Sequence, residues 1–226
     1  LFLGALVAAA PVVLLRNVRD GGSDFLEYYT AGRYVLEHGA RQPDTILGYY
    51  WPSVDVAWAA LAWMPLPMAA AVWYLITCWS WIGLLSATGR YLLADLDEAA
   101  RRRVLLAVGL LVMPIAILHA CLGAFHVLML WWMVAGLGRT SRGRPWSGGF
   151  LLGLAVWVKF LPLLGVGYLV LKRRWKPALV AVASALLVDA VLCVAAIGPQ
   201  ATWQWHQQWW SRQASDASGR VLTSPT

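Results

Sequence analysis

The sequence predicts an all-α polytopic membrane protein, and three observations lead to this fold class. Of its 226 residues, 60% are hydrophobic and only 13% are charged, whereas soluble domains carry roughly 25% charged residues. The mean hydropathy is +0.62. Several apolar runs approach the roughly 20 residues that a helix needs to cross a bilayer, and clusters of arginine and lysine separate them. Both a soluble fold and a single membrane anchor are therefore excluded.

The N-terminal part combines an incomplete span with a long outer loop. Residues 1–15 are apolar but shorter than a full span, so we expect a truncated first transmembrane helix. Residues 16–52 form the loop. Within it, Asp24 to His38 places apolar and aromatic side chains at near-helical spacing. This spacing predicts a short helix on the membrane surface, with Ser23 or Asp24 as its N-cap.

Residues 53–197 hold the remaining predicted membrane segments. Val54 to Met64 is apolar but too short to cross, and prolines separate it from the next run. An aromatic tail, residues 198–226, is expected at the outer interface, because tryptophan concentrates at the headgroup region. We expect residues 1–226 to form a single membrane domain. The predicted crossing segments are Met68 to Leu93, Val104 to Leu118, Phe125 to Leu137 and Pro177 to Ile197.

The segment Gly148 to Leu171 has a basic cluster at each end. The positive-inside rule places both clusters on the cytoplasmic side, whereas a single crossing would put them on opposite sides of the membrane. Lys159 and Pro162 put a charge and a helix breaker in its middle. We predict a helical hairpin of partial depth, because a half of about 12 residues rises only about 18 Å. The alternative is one ordinary span with a buried lysine.

The distribution of basic residues predicts the orientation. Of the 18 lysines and arginines, 11 fall on the side of the short charged loops, six on the other side, and Lys159 within the membrane. By the positive-inside rule the short loops are cytoplasmic and the long loop is extracytoplasmic, in a multi-pass protein of the plasma membrane. The net charge of +7 lies in clusters beside apolar runs, which argues against nucleic acid as a partner.

Two ionisable residues are candidates for chemistry. Asp24 opens the interfacial helix of the outer loop, where a carboxylate can meet a lipid-borne group; its structural alternative is an N-cap. Lys159 lies inside an apolar hairpin at an insertion cost of about 2.5–3.5 kcal/mol, so we expect an anionic partner such as a lipid phosphate. Its alternatives are snorkelling to an interface and an ion pair with Asp189, which also sits in an apolar run.

Histidine and cysteine form no metal-binding motif. His119 and His126 flank Gly123 near the outer turn, but they lack the further ligand that a metal site needs, so packing or a hydrogen bond to substrate fits them better. The three cysteines lie in apolar stretches without redox or ligand spacing. The sequence calls for no cofactor, and its carboxylates leave a divalent cation as an option.

Three segments resemble glycosyltransferase family 87. Asp24 to Arg33 reads D-F-L-E-Y-Y-T-A-G-R and is similar to the first outer loop of that family, D-F-x-x-Y-Y-x-A-G. A Y-x-P element, a leucine-proline stretch and a tryptophan-bearing span follow in the same order. Gly153 to Pro162 resembles the glycine, lysine and proline hairpin of the family. The residues of the second segment are Tyr49, Tyr50, Trp51, Pro52, Met64, Pro65, Leu66, Pro67 and Trp73.

This resemblance implies a GT-C-like transmembrane helical bundle with a large first extracytoplasmic loop, of which the chain resembles the front part. It also implies transfer of mannose or arabinose from a polyprenyl-phosphate sugar to an acceptor outside the cytoplasmic membrane. Two departures stand out. His126 and its neighbours occupy the position of a glycine-glutamine pair followed by asparagine, so His126 is expected to replace those polar contacts. Ser53 follows Pro52 where a second proline is common.

We therefore predict an inverting glycosyltransferase that moves a hexose or pentose, with mannose favoured, to a glycolipid or polysaccharide acceptor. Asp24 is the predicted catalytic base. Lys159, with Arg33, is predicted to stabilise the departing phosphate. The other predicted substrate-binding residues are Tyr28, Tyr29, Tyr50 and His126.

Two functions of other classes compete with this prediction. In a membrane transporter or lipid flippase, Lys159 and Asp189 would form a charge relay within the bundle. In a structural membrane subunit, the outer loop would be a docking surface and the intramembrane charges would only pair. Neither function requires Asp24, so replacing Asp24 with Asn separates them from the enzyme.

Overall fold

The computed structural model describes residues 2–19, 23–42 and 50–217, and over these ranges α-helix is the regular secondary structure. The predicted fold class, an all-α polytopic membrane protein, is confirmed. The helix predicted from Asp24 to His38 is found with the same bounds, and its position on the membrane surface stays a prediction. The helices are α1 (Phe2–Arg19), α2 (Asp24–His38), α3 (Pro52–Ala62), α4 (Leu66–Tyr91), α5 (Glu98–Leu122), α6 (His126–Ser141), α7 (Pro145–Val158), α8 (Leu163–Leu171) and α9 (Trp175–Ala217).

Three helices of the described chain are long and apolar enough to cross a membrane. They are Leu66–Tyr91, Glu98–Leu122 and Trp175–Ala214. Val7–Arg16 and Pro145–Val158 are apolar but shorter. About 20 residues are needed to cross a membrane. These three long helices therefore correspond to spans predicted from the sequence. The sides of the membrane on which the loops lie stay a prediction.

Several helix boundaries differ from those expected. The charged residues after Asp97 belong to the first turns of α5 and not to a loop, because the Asp97 carboxylate accepts a hydrogen bond from the Ala100 amide at 2.8 Å and starts the helix there. His119, expected in the outer turn, lies in the last turn of α5, which continues until Gly123. α9 continues past Gly198 with a kink, at φ 80° and ψ 166°.

The described chain forms two compact units. The first is built from Leu1–Leu26 and Met64–Leu187, and the second from Glu27–Trp63 and Val188–Thr226. Helices α2 and α9 contribute to both. The single membrane domain predicted for residues 1–226 stays a prediction.

The core of the first unit joins α1, α4, α5 and α6. Val13 of α1 is fully buried against α4 and α5 side chains. Small residues let the helices approach closely: a Cβ added at Gly83 of α4 would lie 2.2 Å from the Trp131 ring of α6. The described cysteines are free thiols, and all three are buried. The buried members of this core are Val13, Tyr74, Cys78, Trp81, Ala116, Ala120, Cys121 and Val127.

Helices α7 and α8 form a hairpin in the first unit. The chain leaves α7 at Lys159, whose backbone is extended at φ −156° and ψ 150°, and re-enters a helix at Leu163. The Lys176 ammonium, at the start of α9, is 4.7 Å from the centroid of the Trp146 ring, near the start of α7, so the chain that follows α8 returns to the beginning of the hairpin. The break falls where the sequence places it, and the segment is not one continuous helix. The depth of the hairpin in the bilayer stays a prediction.

Helix α7 lies directly on the first part of α9. A Cβ at Gly149 would be 2.6 Å from the Pro177 carbonyl oxygen, and one at Gly153 would be 2.5 Å from the Ala181 carbonyl oxygen. Glycine at these two positions allows backbone-to-backbone packing, the main way in which helices associate where lipid removes the hydrophobic driving force. This packing fixes the hairpin against the bundle.

The second unit is organised around buried polar groups. Asp189 of α9 is 3% exposed. Its Oδ1 accepts hydrogen bonds from the Ser53 amide at 3.2 Å and the Ser53 hydroxyl at 2.5 Å, while its Oδ2 lies 2.5 Å from His206 Nε2. His206 Nδ1 faces the Thr202 carbonyl oxygen at 2.7 Å. Both ring nitrogens of His206 thus face hydrogen-bond acceptors. Both hydrogen bonds form when each nitrogen carries a proton.

A second buried pair lies in the same unit. Arg41 Nε donates to Asp55 Oδ2 at 2.6 Å, and the Asp55 side chain is fully buried. Burial raises the pKa of the Asp55 carboxyl above its ordinary value, and the charge and hydrogen bond of Arg41 oppose this rise. Close packing of Gly32 on the Trp58 backbone completes the contact of α2 with α3.

Replacing Asp189 with Asn is expected to destabilise the protein by about 2 kcal/mol. The NH₂ group of the asparagine would face the N–H of His206, so two hydrogen-bond donors would meet, and the charged acceptor would be lost. Thermal unfolding of the purified chain in detergent measures the loss. The exposed Asp95 offers a matched control, and Asp95→Asn is expected to change stability by less than about 0.5 kcal/mol. Equal unfolding temperatures for the two variants would contradict a structural role for Asp189.

Candidate functional site

The start of α2 places Asp24 in the first unit. Ser23 is 3% exposed, and its hydroxyl accepts a hydrogen bond from the Leu26 amide at 3.3 Å. Ser23 is therefore the N-cap, and Asp24 is the first helical residue. The alternative role of Asp24 as the cap is not the one observed. A favourable interaction with the helix N-terminus remains as its structural role.

The turn between α5 and α6 holds the start of α2 in place. Gly123 ends α5 with φ 72° and packs so tightly on Phe25 that an added Cβ would lie 2.4 Å from the Phe25 Cβ. The Gly123 carbonyl oxygen accepts a hydrogen bond from Trp73 Nε1 at 2.7 Å. Trp73 in turn meets Phe125 edge to face, with ring centroids 5.2 Å apart. Asp24, next to Phe25, is thus fixed beside this turn.

Lys159 reaches the same turn from the apex of the hairpin. Its Nζ lies 3.1 Å from His126 Nε2, at the first residue of α6. An ammonium only donates, so His126 Nε2 accepts and the imidazole is neutral. This hydrogen bond holds the ammonium in position without neutralising its charge. The Lys159 side chain is half-buried. In such surroundings its interaction with an anion is stronger than in water.

Asp24, His119, His126 and Lys159 form what we call the polar cluster. The rings of His119 and His126 meet edge to face with centroids 5.3 Å apart. The Asp24 carboxylate and the Lys159 ammonium both act electrostatically on His126. The cluster therefore combines a carboxylate, a cation and two imidazoles at one end of the first unit. Of its members, His119 was not among the predicted site residues, although its position near the turn had suggested packing or a hydrogen bond to substrate.

The Nδ1 atoms of His119 and His126 are buried and have no hydrogen-bond partner among the described residues. These atoms are suited to bind a ligand hydroxyl, which both donates and accepts. Within the ranges that the structure describes, no group of three or more His, Cys, Asp or Glu side chains is arranged to hold a metal ion.

The other predicted substrate-binding residues lie in the second unit. The Tyr28 and Tyr50 hydroxyls are 3.3 Å apart, and the Tyr28 ring packs on Trp58 with centroids 5.0 Å apart. Tyr29 is half-buried on α2. Tyr49, quoted for the family resemblance, lies outside the described residues.

Arg33 is exposed on α2, and its Nε donates to Glu37 Oε1 at 2.7 Å in an i, i+4 ion pair. A phosphate would have to compete with Glu37 for this guanidinium. Stabilisation of a departing phosphate by Lys159 and Arg33 stays a prediction.

Asp189 and Lys159 each have recorded partners within their own unit. The two oxygens of Asp189 bind Ser53 and His206 within the second unit. Lys159 contacts His126 within the first. The ion pair of Lys159 with Asp189, on which the transporter hypothesis depended, would join the two units and stays a prediction.

Replacing Gly123 with Ala is expected to destabilise the chain by about 2–4 kcal/mol, because strain at positive φ adds to a clash with Phe25. Gly143→Ala is the matched control, since Gly143 has φ +74° but nothing within 4 Å of its added Cβ. It should cost only the backbone strain, about 1–2 kcal/mol. Thermal unfolding in detergent compares them, and equal losses would show that the Phe25 contact contributes nothing.

The sequence model of glycosyltransferase family 87 matches residues 49–224, well over half of the chain. The chain belongs to glycosyltransferase family 87. The resemblance seen in the sequence is thus confirmed, and membership identifies a glycosyltransferase whose long apolar helices associate it with a membrane. No curated protein and no solved structure matches the chain.

The match to family 87 covers part of the candidate site. His126 and Lys159 of the polar cluster and Tyr50 of the second unit fall within residues 49–224. Asp24 and the rest of the D-F-x-x-Y-Y-x-A-G motif precede the matched range. The role of Asp24 therefore rests on its place beside the α5–α6 turn, on which Phe25 packs, and on the resemblance of its own segment.

Proposed function

We propose that this family 87 glycosyltransferase transfers a hexose or pentose, with mannose favoured, from a polyprenyl-phosphate sugar to a glycolipid or polysaccharide acceptor. The reaction takes place at the extracytoplasmic face of the plasma membrane and inverts the anomeric centre. One observation carries the proposal: Lys159, at the apex of an apolar hairpin, lies 3.1 Å from His126 at the α5–α6 turn, and Phe25, the neighbour of Asp24, packs on the same turn.

Asp24 acts as the general base. The acceptor hydroxyl oxygen attacks the anomeric carbon from the face opposite the phosphate, so a new C–O bond forms as the bond from carbon to the phosphate oxygen breaks. The proton of the hydroxyl passes to the Asp24 carboxylate, and the bonding electron pair leaves with polyprenyl phosphate. Correctly placed general bases contribute about 10²–10⁴ in rate.

Lys159 stabilises the departing phosphate. Negative charge grows on the bridging oxygen as the glycosidic bond breaks, and an ammonium fixed before the reaction need not reorganise to meet it. The hydrogen bond to His126 supplies this fixation. The exposed apolar side chains of the hairpin, such as Leu161 and Leu164, suit the lipid part of the donor, since a polyprenyl chain is excluded from water.

The histidines orient the sugar. His119 and His126 present buried Nδ1 atoms that have no partner within the described chain. A sugar ring offers several hydroxyls, each a donor and an acceptor, and a site built to bind them discriminates strongly against analogues that lack them. For Tyr28, Tyr29 and Tyr50, which belong to the second unit, binding of sugar or lipid stays a prediction from the sequence.

Transfer of radiolabelled mannose from polyprenyl-phosphate mannose tests the proposal. Membranes that contain the full chain are compared with membranes that contain its Asp24→Asn variant at matched abundance. Loss of transfer in the variant alone supports the enzyme with Asp24 as base. Equal transfer in both refutes that role of Asp24. If neither transfers mannose but both transfer arabinose from its polyprenyl phosphate, the sugar assignment changes and the donor class stands.

A further inference from the structure

Two adjoining cavities open in the first unit, away from the polar cluster. Their volumes are about 330 and 370 Å³, and both are lined by Ser86 and Arg90 of α4. Such volumes are in the range of small-molecule sites. Arg139, which lines the first cavity, lies in the last turn of α6, whereas His126 is the first residue of that helix. About 20 Å along the axis of α6 therefore separates the cavities from the proposed donor site.

Four arginines line the two cavities, but only two of them have partners that the described structure records. Arg101 forms an ion pair with Glu98. Arg142 donates to the Arg90 carbonyl oxygen and lies 4.8 Å above the centroid of the Tyr91 ring. Over the described ranges, no hydrogen bond or ion pair is made by the guanidinium of Arg90 or of Arg139. Two like charges therefore line one cavity without a counter-ion.

The other wall of the first cavity is apolar. Trp79 is 65% exposed and Ile82 is 41% exposed, and Trp131 lies beside them. Trp79 and Ile82 belong to the middle of α4, a helix long enough to span the membrane, while Arg90 lies in its last turn. In a bilayer the exposed part of such a helix faces acyl chains, and its terminal basic residues lie at headgroup depth.

We propose that these cavities bind an anionic phospholipid. Its phosphate lies between Arg90 and Arg139, and one acyl chain runs along Trp79, Ile82 and Trp131. Guanidinium groups bind phosphate with paired, charge-assisted hydrogen bonds, and basic pockets between transmembrane helices suit lipid head groups. A lipid can place an acyl chain on the apolar wall, whereas a free phosphate has no apolar part to place there. The apolar wall therefore favours a lipid as the ligand. This inference does not rest on the proposed glycosyl transfer.

Lipid binding to the purified full chain tests the proposal. Native mass spectrometry in detergent measures titrations with phosphatidylglycerol, phosphatidylcholine and glycerol phosphate. The chain is expected to bind phosphatidylglycerol at least about tenfold more tightly than phosphatidylcholine, because the choline ammonium of the latter cancels the phosphate charge and is repelled by the two guanidinium groups. Glycerol phosphate should not displace the lipid.

The double variant Arg90→Gln with Arg139→Gln removes the proposed phosphate contacts. Its affinity for phosphatidylglycerol is expected to fall at least tenfold. The control, Arg103→Gln with Arg144→Gln, removes the same charge from two exposed arginines that line neither cavity, and its affinity should be unchanged.

A second variant keeps the test decisive where the first does not fold. Ser86→Leu fills space shared by both cavities and leaves every arginine in place, and it should also weaken phosphatidylglycerol binding. Unchanged binding in Ser86→Leu and in the double variant would overturn the proposal. So would equal affinity of the wild type for phosphatidylcholine, and displacement of the lipid by glycerol phosphate would assign the cavities to a free phosphate instead.

Discussion

Replacing Asp24 with Asn is expected to lower the rate of sugar transfer about 10²- to 10⁴-fold. Asparagine keeps the size and place of the side chain at the first turn of α2, so the cap by Ser23 and the packing of Phe25 on Gly123 should persist. What is lost is the ability to take the acceptor proton. The effect should appear in kcat and leave donor affinity nearly unchanged, because the base acts in the transition state.

Glu27→Gln is the matched control for this prediction. Glu27 lies on the same helix and is exposed, and the substitution also replaces a carboxylate with an amide. Its transfer rate should stay within about twofold of the wild type. If Glu27→Gln and Asp24→Asn lowered transfer equally at equal abundance, the loss would reflect the charge of the outer loop and not a base at Asp24.

Replacing Lys159 with Met is expected to lower transfer about 10²- to 10³-fold, the usual effect of removing one preorganised charge-stabilising group. Methionine keeps an unbranched apolar chain in the hairpin, so folding should be retained. The variant also releases His126 Nε2, which the Lys159 ammonium occupies at 3.1 Å. Radiolabelled transfer and donor binding, measured separately, should show a larger loss in kcat than in affinity.

Lys172→Met provides the comparison, because Lys172 ends the same hairpin and lies 5.9 Å from the centroid of the Tyr168 ring, outside the polar cluster. It should retain transfer. A donor with a better leaving group needs less stabilisation of the departing charge, so it should be transferred by Lys159→Met with a smaller deficit. A deficit that is the same for both donors would show that Lys159 supports structure and not the leaving group.

The fold was predictable where interactions between residues close in the sequence decide it. The interfacial helix over Asp24 to His38 and the hairpin break at Lys159 both follow from periodicity and from the placement of charge and proline. Helix ends were harder, since caps depend on one hydrogen bond. Ser23 and Asp24 are both favourable caps, and only the fold shows that Ser23 accepts from the Leu26 amide.

The sequence predicted most of the residues in the candidate site, but not which of them contact one another. Ser53 and Asp189 are 136 positions apart, and no local pattern announces a hydrogen bond over that separation. Sequence reasoning therefore offered Lys159 as the partner of Asp189. The contact of Lys159 with His126 is equally non-local, because it depends on the hairpin returning to the α5–α6 turn. Arg33 is the opposite case, where i, i+4 spacing to Glu37 already contained the observed ion pair.

The hairpin of α7 and α8 also constrains how the chain is made. With 14 and nine residues, the two helices rise only about 21 and 14 Å, so neither is long enough to be inserted as a span by itself. In the predicted placement of the hairpin within the bilayer, the two helices enter as a pair and bring Lys159 with them. Part of the surface that holds α7, the carbonyl of Ala181 against Gly153, is synthesised only after the hairpin. Until α9 emerges from the ribosome, the lysine-bearing loop lacks its final support, and membrane assembly of this region is completed from its C-terminal side.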